Sequence, residues 1–213
     1  MTGRTRIKVC GVRDEATIDA CVAAGADAIG FMFVKGSPRY IAPERGFELL
    51  GYLSAAGPFV AGVGVTANLD VDRFADLEQV CPTAISQLHG NETDETVRRC
   101  GPGVIKAIRF DTGTIADELK RWDAIEEVDA ILVDGSAGGT GETFDWEQLA
   151  QPMAAIAKPV IVAGGLTPDN VGEAIRTLRP YGVDVSSGVE REKGVKDTAL
   201  IAAFGAAVRA ADA

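Results

Sequence analysis

Histidine is almost absent from this chain of 213 residues: His89 is the only one, and the four cysteines, Cys10, Cys21, Cys81 and Cys100, are scattered with no C-x-x-C pair. Zinc sites draw on clustered Cys and His ligands and disulfide frameworks on dense cysteine pairs, so neither a metal site nor a disulfide is expected. Basic residues are also scarce. Lys and Arg number 21 against 31 Asp and Glu, a net charge of −10, with no basic run and no basic patch interleaved with aromatics. A nucleic-acid partner is thereby excluded, because a phosphate backbone demands dense positive charge. No apolar stretch approaches a membrane span, and Met1 to Arg6 leads directly into a strand-like run with no apolar signal segment. No membrane partner is expected, and the cytoplasm is the expected location.

What is present fits one compact domain over residues 1–213: 46% hydrophobic and 24% charged content is ordinary for a globular protein of this length. Short apolar runs of β type alternate with helical patterns along the whole chain. They lie at Ile7 to Cys10, Ala28 to Val34, Phe59 to Val65, Ala84 to Leu88, Val104 to Ile108, Ala130 to Val133, Pro159 to Ala163 and Val183 to Ser186. Continuously apolar strands imply a parallel sheet covered on both faces. Eight βα units in this length predict an α/β fold of the single-domain (β/α)8, TIM-barrel type rather than an open sheet. Helix signals agree. Asp14 can cap a helix with Ile18 and Val22 on one face and Gly25 at its end; Thr167-Pro168 opens another with Val171, Ala174, Ile175 and Leu178 inward and Pro180 beyond it. Asp145 and Asp197 are similar N-caps. Cys21, Cys81 and Cys100 fall in helices or at helix ends, where a free thiol behaves as a small core residue.

In such a barrel, function sits at the C-terminal ends of the strands. Two late turns there carry small residues, Gly164-Gly165 after the seventh run and Ser186-Ser187-Gly188 after the eighth. Glycine lets backbone N–H groups approach an anion closely, and the helix N-terminus that follows adds partial positive charge. The pair reads as a phosphate cradle, which implies a small phosphorylated substrate; the alternative is two tight connections. Cys10 ends the first strand, Arg39 follows the second, Gln87 and His89 flank the end of the fourth, and Asp134 ends the sixth. On the residues alone, Cys10 also reads as a buried strand-end thiol, Asp134 as a turn former before Gly135, and Arg39 as a solvated loop residue. Lys8 and Asp184 share inward parity on strands that a closed barrel makes neighbours. They can pair inside, or Asp184 can reach a substrate hydroxyl. No metal or nicotinamide motif joins these residues.

Five ordered motifs make the reading specific: Lys8-Val9-Cys10-Gly11-Val12; Gly30-Phe31 with Ser37-Pro38-Arg39-Tyr40; Gln87-Leu88-His89-Gly90; Gly138-Gly139-Thr140-Gly141 with Thr143-Phe144-Asp145-Trp146; and Asp184-Val185-Ser186-Ser187-Gly188-Val189-Glu190. Together they resemble the phosphoribosylanthranilate isomerase family across essentially the whole chain. The resemblance implies the cofactor-free Amadori rearrangement of N-(5-phosphoribosyl)anthranilate in tryptophan biosynthesis. Carried over residue by residue, it implies that Asp134 is the general acid and Cys10 the general base, and that Arg39 partners the anthranilate carboxylate or the charge developing near it. His89 then lines the site without taking part in proton transfer. Burial is expected to raise the Asp134 pKa, and a neighbouring positive group to lower that of Cys10. The chain departs from the family pattern at Glu142, where a lysine is common, and at Val65-Thr66-Ala67-Asn68, where an apolar pair usually follows the valine. Three rival readings are weaker. A related isomerase of histidine biosynthesis has an aspartate where this chain has Cys10, and a metal-dependent epimerase needs more histidines. A barrel that binds its ligand without turnover has no use for an acid and a base.

Overall fold

The computed structural model describes residues 3–135 and 145–213. Eight parallel strands close into a barrel in sequence order: β1 (Arg6–Cys10), β2 (Ala28–Met32), β3 (Ala61–Thr66), β4 (Ile85–Leu88), β5 (Val104–Arg109), β6 (Val128–Asp134), β7 (Val160–Ala163) and β8 (Gly182–Val185). Closure is made by β1 against β8, with Arg6 opposite Gly182 and Lys8 opposite Asp184. Between strands run α1 (Glu15–Ala24), α2 (Pro43–Ala56), α3 (Val71–Val80), α4 (Asp94–Cys100), α5 (Ile115–Asp123), α6 (Glu147–Ala154) and α7 (Val171–Leu178). A small antiparallel hairpin, β9 (Glu190–Glu192) and β10 (Val195–Lys196), precedes the last helix, α8 (Thr198–Ala211).

Alternate residues of a strand face opposite sides of the sheet, and the register turns that rule into layers. Cys10, Gly30, Val63 and Ile85 are successive partners around β1 to β4. Ile105, Ala107, Ala130, Leu132, Ile161 and Ala163 form one buried cluster on β5 to β7. The opposite parity, with Ile7, Val9, Ile29 and Phe31 among its members, packs under the helices in a separate, larger cluster. Both faces are largely buried, which is why the strands read as continuous apolar runs.

Local signals explain most element ends. The Asp14 side chain accepts the Thr17 N–H at 2.8 Å, and Gly25 closes α1 in the left-handed region with φ of 81°. Asp197 accepts the N–H groups of Ala199 and Leu200 to start α8. Several boundaries differ from the sequence expectation. Phe59 and Val60 precede β3, and Phe59 is 97% exposed. Phe33 and Val34 lie beyond β2, where Phe33 packs beside Gly46 of α2. Helix α7 begins at Val171 rather than at Thr167-Pro168, because residues 167–170 form a turn in which Asn170 Oδ1 accepts the Thr167 N–H at 2.8 Å. The four expected inward residues of α7 are all buried. At α6, Trp146 occupies the N-cap, and Asp145 supports it from one residue earlier by accepting the Glu147 N–H at 3.1 Å. The four cysteines are free and buried. No helix among the described residues is long and apolar enough to cross a membrane.

Candidate active site

A cavity of about 310 Å³ opens at the C-terminal end of the barrel. Cys10 from β1 and Asp134 from β6 both reach it, with only β7 and β8 between them in the ring. Asp184, Arg39 and His89 share the same wall. So do Gly164, Gly165, Ser186 and Ser187, which form its rim after β7 and β8. A larger cavity of about 570 Å³ meets it at His89 and Asp134 and extends over the ends of β4 and β5. The smaller one holds both candidate proton-transfer groups. The motif from Gly138 to Phe144, with Glu142 inside it, lies outside the described residues.

The rim is built for close backbone approach. Gly164 and Gly165 have φ of 91° and 65°, a region that side chains disfavour. Asn170 steadies them, since its Nδ2 donates to the Gly165 carbonyl at 2.9 Å while its Oδ1 holds Thr167. Gly188 is not on the cavity wall. Any Cβ there would overlap the Leu166 carbonyl oxygen, so this glycine lets the turn after β8 lie against the turn after β7. Asn170 was invisible to motif reading, because its work depends on which way its amide folds back.

Cys10 is 5% exposed. Burial pushes its thiol above the ordinary value; Lys8, Lys196 and Arg39 pull the other way, and Asp184 adds to the rise. The expectation of a lowered thiol pKa is therefore corrected: the positive neighbours exist, but desolvation outweighs them. Lys8 and Asp184 pair at 2.8 Å with side chains 4% and 8% exposed. Burial by itself lowers the Lys8 pKa, yet Asp184 and Cys10 together hold it above its ordinary value. Of the two alternatives left open for Asp184, the structure shows the pairing with Lys8; the residue also lines the cavity.

Arg39 is held side-on by Glu190, with Nε donating to Oε1 at 2.7 Å and Nη2 to Oε2 at 2.9 Å. Nη1 has no partner among the described residues, so the end-on edge of the guanidinium stays available. Glu190 also accepts from Lys196 Nζ at 2.8 Å and from the Gly194 N–H at 3.0 Å. Burial would raise its carboxyl, but Arg39, Lys196 and Gly194 hold it down at about 2. Around Cys10, three cations, Lys8, Arg39 and Lys196, face two carboxylates, Asp184 and Glu190, which leaves one positive charge in excess.

Gln87 lies beneath the cavity, fully buried, and bonds to His89 through Nε2 and Nδ1 at 2.8 Å. The other ring nitrogen, Nε2, lies 3.4 Å from Asp134 Oδ2. The backbone on either side of His89 is pinned by Lys106, whose Nζ donates to the carbonyls of Leu88 at 3.1 Å and Gly90 at 2.7 Å. Lys106 faces outward from the barrel and gave no signal in the sequence.

Residues 7–207 match the family model described as N-(5'phosphoribosyl)anthranilate (PRA) isomerase. The chain belongs to the PRA isomerase family. A relative from Haloferax volcanii, named N-(5'-phosphoribosyl)anthranilate isomerase, is 45% identical over 97% of this chain and 94% of its own. One of the same name from Herminiimonas arsenicoxydans is 42% identical over 100% and 96%. Among solved structures, the PRA isomerase of Thermus thermophilus superposes with a TM-score of 0.85 at 34% identity, covering 97% of this chain and 99% of that one. A PRA isomerase in complex with reduced 1-(o-carboxyphenylamino)-1-deoxyribulose 5-phosphate gives 0.81, also at 34% identity and with the same coverage.

Proposed function

We propose that this member of the PRA isomerase family converts N-(5-phosphoribosyl)anthranilate to 1-(2-carboxyphenylamino)-1-deoxyribulose 5-phosphate with Asp134 as general acid and Cys10 as general base. Asp134 gives its proton to the ribose ring oxygen while the bond from that oxygen to C1 breaks. The anthranilate nitrogen supplies the electron pair that forms the C1=N iminium. The Cys10 thiolate then takes the proton from C2, and the C2–H electrons form C1=C2 as the iminium is quenched. Transfer of the enol proton to C1 completes the aminoketose, and passage of the proton from the Cys10 thiol to the Asp134 carboxylate by way of solvent resets both groups, with no electrons exchanged outside the substrate.

The observation that carries this reading is the single cavity containing Cys10, Asp134 and the paired small-residue rim. Backbone N–H groups of Gly164, Gly165 and Ser187 would take the phosphate, and the end-on edge of Arg39 would take the anthranilate carboxylate as a bidentate pair. Gln87 and His89 would orient the wall beside Asp134, and Asp184 would steady Lys8 below the thiol.

The test is direct. Anthranilate fluorescence should change when purified protein meets freshly made phosphoribosylanthranilate, and the rate should survive EDTA because both proton transfers use side chains. A positioned acid or base contributes about 10²- to 10⁴-fold, so Cys10→Ser and Asp134→Asn should each lose kcat on that order with little change in KM. Binding without turnover in the unaltered protein would make the barrel a ligand-binding module instead, and near-normal kcat in Cys10→Ser would remove the base from Cys10.

A further inference from the structure

Glu190 and Lys196 sit outside the proton-transfer scheme, yet they are among the least exposed charged side chains in the described residues, at 4% and 2%. Their contacts reach three separate parts of the site. Glu190 holds two nitrogens of Arg39. Lys196 donates to the Ser186 carbonyl at 2.9 Å and to its hydroxyl at 3.2 Å, and that hydroxyl donates to the Cys10 carbonyl at 3.1 Å. The hairpin of β9 and β10 thus ties the Arg39 loop, the small-residue turn after β8 and the end of β1 together.

Burying two charges is costly and does not by itself stabilise a fold, so the retention of such a pair calls for another role. Arginine has considerable side-chain freedom in a loop, and ordering it on substrate binding subtracts from affinity. A side-on clamp removes that freedom beforehand while leaving the end-on fork open. We infer that Glu190, backed by Lys196, is a positioning residue that sets the selectivity of the site for a carboxylate-bearing aryl group by holding Arg39 in its receptive orientation. The inference rests on the reading that Arg39 takes the substrate carboxylate.

The test compares two inhibitors on the intact protein: reduced 1-(2-carboxyphenylamino)-1-deoxyribulose 5-phosphate and its phenylamino counterpart, which lacks only the carboxylate. Hydrogen bonds between charged groups contribute enough that Glu190→Gln should weaken the carboxylate-bearing inhibitor about tenfold or more. The phenylamino compound should change by less than about twofold, since it lacks the group that Arg39 would hold and so does not couple to the clamp. In an Arg39→Met background, Glu190→Gln should add nothing further to that discrimination. Equal loss for both inhibitors would make Glu190 a general structural support and overturn the inference. Tighter binding of the carboxylate-bearing compound would overturn it too, since Glu190 would then act only by opposing the charge of the ligand. If Arg39→Met itself fails to discriminate, the underlying assignment of Arg39 falls and the inference with it, whereas discrimination by Arg39→Met alone sinks only the role of Glu190. Glu190→Asp keeps the charge but retreats by one methylene, and it supplies the same comparison should the glutamine variant not fold.

Discussion

Cys10 shows how a single side chain is tuned by what is missing beside it. Its neighbour across the sheet is Gly30, where an added Cβ would lie 2.9 Å from the Cys10 sulfur. Glycine makes room for the thiol, so Gly30→Ala should displace the sulfur and lower kcat far more than it changes KM in steady-state kinetics. The buried setting has a further consequence for pH. A thiol must lose its proton to act as a base, and a raised pKa moves that loss to higher pH. The ascending limb of kcat/KM should therefore continue above neutral pH in the unaltered enzyme. A profile already flat below pH 7 would contradict a buried thiol base. From the sequence, the position of Cys10 at a strand end was legible, but the sign of its shift was not. Charge proximity and desolvation oppose each other here, and only the degree of burial decides between them.

At the scale of elements, the phosphate rim depends on two turns leaning against each other. Gly188 is needed because the turn after β8 passes against the Leu166 carbonyl, and Gly164 and Gly165 because the turn after β7 takes positive φ. Gly188→Ala should force the turns apart, raising KM and weakening competitive inhibition by inorganic phosphate while kcat changes less. Phosphate is held in ground and transition states alike, which predicts that split. A lowered kcat at unchanged KM would place the phosphate elsewhere. The glycines were legible as a motif, whereas Asn170, which clamps the first turn through Gly165 and Thr167, was not. Its neighbours in sequence resemble a helix start, and only the tertiary path of the turn shows that the helix waits until Val171.

On the scale of the whole molecule, the last strand-like segments lock the first. Closure brings β8 to β1, and the hairpin of β9 and β10 then carries Glu190 and Lys196 over the mouth. The Glu190 carboxyl titrates at about 2 in the folded protein, below its ordinary value. A depressed carboxyl contributes stability that is complete above the unfolded value, near about pH 5, and that disappears as pH falls through the folded one. Glu190→Gln should therefore lower the unfolding free energy at pH 7, and the gap to the unaltered protein should narrow steadily toward pH 2 in denaturant titrations. A gap independent of pH would mean that the side chain contributes by packing alone. Outside the same closing strands, α8 lies against α1, where a Cβ on Gly205 would overlap the Ala24 carbonyl oxygen. Overpacking a tight contact costs about 1–3 kcal/mol, so Gly205→Ala should lower stability by that amount without altering KM.

The sequence by itself determined the repeated strand and helix pattern, the closed barrel that eight such units favour, the strand ends where chemistry belongs, and the glycine turns. Each of these rests on a local rule: apolar period, capping residues, or the backbone freedom of glycine. Tertiary structure alone decided the rest. It made Glu190 the partner of Arg39 across 151 positions, set Gln87 under His89 as a buried hydrogen-bonding support, and placed Lys106 where it pins the β4 end from outside the barrel. Those roles arise from charges and amides that are buried in pairs, and a pair exists only once closure has brought distant strand ends together.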